Sequence, residues 1–182
     1  MDSTLLLHQK AMDKRNKVIA LSVPNFSNKG QVKNEKKHRK QLLEKMKLSN
    51  IDHHEINVSS NINIEESWQM PLWLSVVLPY VRDGDVVNMA YISSDGFDFW
   101  HNKAKLITAF NAFMRLSGKK AKLRFPLQAY TKGHVIKELK KLKLLRDCWY
   151  CGSPKKGKPC GKCMKCLSVK RWTKYPESGI SV

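Results

Sequence analysis

An α/β fold, with a parallel sheet covered by helices on both faces, is what this sequence predicts. Short apolar runs alternate with longer segments whose apolar residues recur every three or four positions. Several of the runs end at Pro or at polar clusters, as strands leading into crossover helices do. The 182 residues are 42% apolar, which suits one globular domain with a small appendage.

The chain opens on a helix. Residues 3–13 carry Leu5, Leu6 and Met12 on an apolar face, with Ser3 or Asp2 as the cap. KVIALSV (17–23) reads as a buried strand ending at Pro24, and NFSNKG as a loop. Residues 33–48 form a strongly charged helix with Leu42, Leu43 and Met46 as its apolar face. HEINV (54–58) is the second strand, and His53 and His54 at its start read as surface residues. A polar loop leads to an apolar helix from Pro71 to Tyr80, with Pro71 in the first helical position. DVVNMAYI (85–92) is the third strand, and residues 101–117 form a helix with Leu106, Phe110, Phe113 and Met114 inward. AKLRFPL is the fourth strand, closed by Pro126. The last helix, 131–144, turns Val135, Ile136, Leu139 and Leu142 inward and Glu138 and its lysines to water. Ligands of such sheets bind at the carboxyl ends of the strands.

Lys and Arg number 34 against 15 Asp and Glu, a formal net charge of +19. That field favours anionic partners such as nucleotides, phosphorylated metabolites or nucleic acid; the plain alternative is a Lys-rich solvated surface. The run NEKKHRKQ (34–41) reads as a solvated helix face. No apolar run reaches the roughly 18 residues of a membrane span. The N-terminus lacks the basic start of a secretory leader.

All five cysteines lie within nineteen residues, in CWYCGSPKKGKPCGKCMKC (148–166). Soft thiolates at this density hold zinc, and Gly152, Gly157 and Gly161 give the backbone the freedom that thiolate turns need. A tetrahedron takes four ligands, so one cysteine is surplus. The spacing allows Cys148, Cys151, Cys163 and Cys166, or equally Cys151, Cys160, Cys163 and Cys166. Cysteines packed for metal rather than spread for bridging suit a reducing, cytoplasmic setting.

The cysteine string resembles the zinc segment of the 7-cyano-7-deazaguanine synthases, roughly T-W-S-C-Y-x-G followed by C-G-x-C-x-x-C. Trp149 falls two residues before Cys151 as in that family, and the ending Cys160-Gly161-Lys162-Cys163 through Cys166 matches. The resemblance implies Cys151, Cys160, Cys163 and Cys166 as the zinc ligands and puts Cys148 at the family's Thr position. Upstream, FPLQAYTKGHVIKEL is similar to the family's P-L-x-x-x-x-K segment and places Lys132 in register. The related N-type ATP pyrophosphatases begin with a strand and S-G-G-x-D-S/T, whose glycine turn and helix start bind ATP phosphates. Met1-Asp2-Ser3-Thr4 resembles the end of that motif without its first strand, and Gly30-Gln31 resembles the family's Y-G-Q. Two stretches depart from the family. Trp73 and Leu74 stand where V-P-x-R-N has Arg and Asn, and Phe99-Trp100-His101-Asn102-Lys103 replaces Y-P-D-C-R. Packing is the plain explanation for Trp73 and Trp100, and stacking on a purine ring is the functional one.

The resemblance implies a Rossmann-like domain over residues 1–146 that lacks its first strand, and a zinc-binding element over 147–182. It implies zinc at the four cysteines and ATP, with magnesium as counter-ion, at Asp2, Ser3, Thr4 and Lys132. The implied reaction joins ammonia to 7-carboxy-7-deazaguanine to give the nitrile. Two alternatives stand beside it: an inactive, zinc-stapled relative that binds nucleic acid or regulates, and a pyrophosphatase that adenylates another carboxylate. The expected partners are the deazapurine, ATP, nucleic acid on the basic surface and a second copy in a homodimer, with no membrane.

Overall fold

The computed structural model describes residues 1–23, 29–56, 69–95 and 97–174. The elements along the chain are α1 (Asp2–Ala11), β1 (Val18–Ser22), α2 (Lys29–Met46), β2 (Ile51–Glu55), α3 (Gln69–Val77), β3 (Val86–Asn88), α4 (Phe97–Leu116), β4 (Lys122–Arg124), α5 (Lys132–Lys141) and α6 (Met164–Lys174). Single 3-10 turns follow α3 and α5, at Leu78–Tyr80 and Leu145–Asp147. The chain is mixed α/β, and its described strands form two parallel pairs, β1 with β2 and β3 with β4. It divides into two compact units, Met1–Asn63 with Tyr130–Val182, and Ile64–Ala129.

In the first unit, β1 and β2 run from Val18 opposite Ile51 to Ser22 opposite Glu55. The second strand lies three residues before the expected 54–58, so His53 and His54 fall well inside it and are half-buried rather than surface residues at its start. Asn50 accounts for the earlier start. Its side-chain amide donates to the carbonyls of Ala11 and Asn16 at 3.0 and 2.9 Å, and its own carbonyl accepts from Val18 N–H at 2.9 Å. That anchor ties the end of α1 to the start of both strands. Buried Leu5, Leu6 and Ala11 of α1 and Val135, Ile136 and Leu139 of α5 supply the apolar faces on which those two helices pack.

Helix ends follow local chemistry. Thr131 caps α5 with its hydroxyl 3.2 Å from the His134 N–H, and the His134 ring takes the Thr131 N–H in return. At the other end Lys143 adopts a left-handed φ of 55° while Leu144 N–H reaches back to Leu139 O, a Schellman close. The expected cap of α1 by Ser3 or Asp2 is not made: Met1 is the cap position and no side chain bonds there. Asp2 is held elsewhere, by Lys132.

In the second unit, Leu74, Val81, Phe110, Met114, Leu123 and Phe125 form the buried cluster. Phe113, expected inward, is 44% exposed, because Phe110 and Met114 already take the buried face of α4. β3 is three residues long rather than spanning 85–92, since its partner β4 offers only Lys122–Arg124 before Pro126. The α4 helix closes on Gly118, whose φ of 67° suits glycine, with Lys119 N–H bonded to Met114 O at 2.9 Å. α3 begins at Gln69, two residues before Pro71. Most of the expected loop at NFSNKG, the polar loop before α3, the end of the HEINV strand and the side chains of Phe99 and Trp100 lie outside the described residues.

Candidate metal centre

Every residue of this centre belongs to the first unit. The Sγ atoms of Cys151, Cys160, Cys163 and Cys166 all lie within 4.8 Å of one another. Two edges are shorter, Cys151–Cys163 at 4.0 Å and Cys160–Cys166 at 3.9 Å. Metal–sulfur bonds of about 2.3 Å in a tetrahedron put sulfurs about 3.8 Å apart, so the four thiols fit a zinc ion. Cys148 lies outside the cluster. Its buried thiol donates to Leu144 O at 3.4 Å. Burial pushes that thiol up, against the opposing influence of the N-terminal ammonium and a hydrogen bond with Thr4. Of the two ligand sets that spacing allows, the geometry assembles the second.

Local backbone prepares the sulfurs for charge. Cys160 N–H points at the Cys151 sulfur at 3.2 Å and Cys163 N–H at the Cys160 sulfur at 3.3 Å. Amide donors from Lys162 and Cys163 hold the Cys160 thiol below its ordinary range. Burial opposes charge at Cys163, but amides of Cys166 and Gly152 outweigh it and bring that thiol down to about 6. Burial and the neighbouring thiols push Cys166 up to about 12. Tyr150 is also raised, by burial first and then by the cysteine charges beside it. Metal binding would lower these thiols together, since a thiolate is the ligand.

Helix α2 braces the segment that carries the thiols. Gln31 is 3% exposed, and its Oε1 lies 3.7 Å from where a Cβ on Gly152 would stand. Gln31 also donates to Glu35 at 2.6 Å. One turn further on, His38 lies against Trp149 with ring centroids 5.0 Å apart, and its Nδ1 is 3.0 Å from Asp147 O. Lys45 donates to Lys143 O at 2.8 Å and pairs with Asp147. The NEKKHRKQ stretch is therefore only partly a solvated face. Its His38 and Arg39 are half-buried, because they meet the segment before the thiols and the end of β2. Trp149 Nε1 in turn donates to Cys151 O at 2.9 Å. Sequence reasoning had placed Gln31 by its motif but not by its neighbour, and it missed α6, which supplies Cys166.

The expected nucleotide residues are partly brought together. Lys132 Nζ lies 2.6 Å from Asp2 Oδ2, with both side chains about one-fifth exposed. Asp2 Oδ1 is buried without a hydrogen-bond partner. Thr4 is half-buried toward Cys148, and Ser3 is exposed. At the ends of the paired strands, Ser22 Oγ lies 3.0 Å from His53 Nε2, and Arg39 and Lys36 both reach Glu55. Trp73 and Leu74 are packing residues of the second unit. Leu74 is 3% exposed in the apolar cluster, and the Trp73 ring lies 6.5 Å from Tyr91. Lys103, the last residue of the second departing stretch, sits 5.5 Å over the Phe125 ring. Among the described residues no helix is long and apolar enough to cross a membrane.

Comparison with curated proteins and with solved structures finds no match. A family model described as "Queuosine biosynthesis protein QueC" matches residues 69–175, the stretch that contains α5, all five cysteines and α6. That match covers more than half of the 182 residues, and the chain belongs to the QueC family.

Proposed function

We propose that this protein is an ATP-dependent ligase of the 7-cyano-7-deazaguanine synthase type, acting in queuosine or related 7-deazaguanine biosynthesis. The observation that carries the reading is the four-sulfur tetrahedron of Cys151, Cys160, Cys163 and Cys166 inside the family-matched stretch. Zinc there is a staple: four thiolates complete its coordination and leave no position for a reacting water. ATP would activate the carboxylate of 7-carboxy-7-deazaguanine, so that its oxygen departs with AMP when ammonia attacks. A second activation of the amide oxygen gives the nitrile. Asp2, Ser3 and Thr4 would offer the first amides of α1 to the phosphates with magnesium as counter-ion, and the Lys132 ammonium would stand beside them. A Rossmann-like sheet in a cytoplasmic enzyme, working as a monomer or homodimer, is the architecture this reading expects, with the division at 146–147 separating catalytic domain from staple.

One observation favours a second substrate. Trp73 and Leu74 stand at the family's Arg and Asn positions and are taken up in packing, so they bring no cation or amide to a deazapurine. A pyrophosphatase adenylating another carboxylate accounts for that. Incubating the zinc-loaded protein with magnesium-ATP, ammonium and 7-carboxy-7-deazaguanine, and reading AMP and nitrile by mass spectrometry, decides. Both products are expected. AMP without nitrile, released on adding another acid, supports the second substrate. Neither product under any acid overturns the ligase reading.

A further inference from the structure

We propose that the zinc element of this chain is a docking surface for the phosphate backbone of double-stranded nucleic acid. The inference rests on charge and shape and stands whether or not the ligase reading does. Between Cys148 and Lys174 the chain has no carboxylate. Five lysines, Lys155, Lys156, Lys158, Lys162 and Lys165, lie on the thiolate-bearing loop and the start of α6, and all are exposed. Three more exposed cations, Lys170, Arg171 and Lys174, follow along α6. These eight charges compare with +19 for the whole chain.

Compensation of the metal centre does not account for them. A divalent ion with four thiolates leaves about two negative charges, which offset only about two of the eight cations. Nor are they spread on a loose tail. Lys155 and Lys158 exchange both backbone hydrogen bonds, at 3.0 and 2.9 Å, across a two-residue turn. The turn is made by Lys156 and Gly157 with φ of 47° and 74°. Both central residues at positive φ define the tight turn of a β-hairpin, and here it holds three lysines at its tip against their mutual repulsion. Near the turn's Gly157, α2 presents Asn34, whose Oδ1 lies 3.8 Å from where a Cβ would stand. On α6, Lys170, Arg171 and Lys174 are exposed within little more than one turn, so hairpin and helix both present cations to solvent.

The lack of a fully exposed aromatic chooses the partner. Single-stranded nucleic acid is held by rings on which unstacked bases lie. Over the same residues 148–174 the aromatics are Trp149, Tyr150 and Trp172; all three are half-buried, and Trp149 is taken up against His38. A surface of cations without a stacking platform matches phosphates of a stacked duplex, which carries one charge per roughly 1.7 Å of axis. A membrane surface would need a broad apolar face beside the cations. α6 exposes only Met164 and Leu167 in that role.

The test is binding of the full, zinc-loaded chain to a fluorescent, random-sequence DNA duplex across a salt series. The variant is Lys155→Gln, Lys156→Asn, Lys158→Gln, in which Asn tolerates the left-handed position. Zinc content reports that the element stays folded. A control carries the same charge loss on α5, at Lys137, Lys140 and Lys141, each changed to Gln. The expected result is a salt-dependent affinity whose log–log slope falls by about 3 in the hairpin variant and stays unchanged in the control. Equal losses in the two variants would show a diffuse field and overturn the proposal. So would no duplex binding at low salt, or binding confined to anionic phospholipid vesicles.

Discussion

Cys148 and Cys160 each open a C-x-x-C pair, with Cys151 and Cys163, and take opposite roles. Both sit in a Cys- and Lys-rich run, but only Cys160 brings its sulfur to the tetrahedron. Cys148 spends its thiol on Leu144 O and Thr4. Cys160→Ser is expected to remove bound zinc. Cys148→Ser is expected to retain it in full and to cost about 1 kcal/mol, because a hydroxyl can take over the donor role. Metal analysis beside urea unfolding checks both, and zinc lost from Cys148→Ser would reverse the ligand assignment. His53 gives the pH term. Burial, aided by the Arg39 charge, holds its imidazole below the ordinary value of 6.5. Between the folded and unfolded values the unfolded chain binds more protons, so stability rises with pH there. The penalty is absent well above 6.5 and complete below the folded value. His53→Gln should therefore narrow the gap between urea midpoints measured at about pH 5 and pH 7.5. An unchanged gap would mean that His53 does not titrate as its burial implies.

Among the elements, legibility follows how each is held. α4 and α5 were readable because apolar side chains at three and four spacing hold them, as Phe110, Met114, Val135, Ile136 and Leu139 do. α6 was not, because its one buried residue is Cys166, a member of the thiol cluster, and no apolar stripe marks it. A thiol cluster is legible in local spacing and the choice of its four members in the family resemblance, whereas the Lys132–Asp2 pair joins residues 130 apart and carries no local signal. β2 was misplaced by three residues because Asn50, a polar residue reaching across to Ala11 and Asn16, sets its start and periodicity does not. The capping of α5 is a local device with a local test. Thr131→Ala removes the acceptor of the His134 N–H and should cost about 1 kcal/mol in unfolding free energy. The same change should loosen Lys132, the next residue, from Asp2. Thr131→Ser, which keeps the acceptor, should restore both. A loss of stability equally large in Thr131→Ser would point to the methyl group rather than the cap.

Across the whole molecule, apolar burial holds one part of the chain, and the four-thiol cluster offers a metal the work of holding another. The Leu74–Phe125 cluster of the second unit contains no residue of the zinc element and closes on side chains alone. Residues 148–174 have the reverse composition: eight cations, no carboxylate, and Cys151 and Cys166 as buried anchors that both belong to the four-thiol cluster. An isolated helix shorter than about 12 residues is marginal in water, and α6 has 11. Without the ion, Cys166 loses the bond that would anchor it to the cluster, and α6 keeps no other buried side chain. Chelation should therefore speed amide exchange throughout α6 and the loop from Cys151 to Cys163, while amides of α4 around Phe110 keep their protection. Far-ultraviolet circular dichroism should fall by the share of about one short helix, and adding zinc back should restore it. Exchange in α6 that is as slow after chelation as before would show that packing on α5 holds the helix, and that the metal is an addition to a fold already complete.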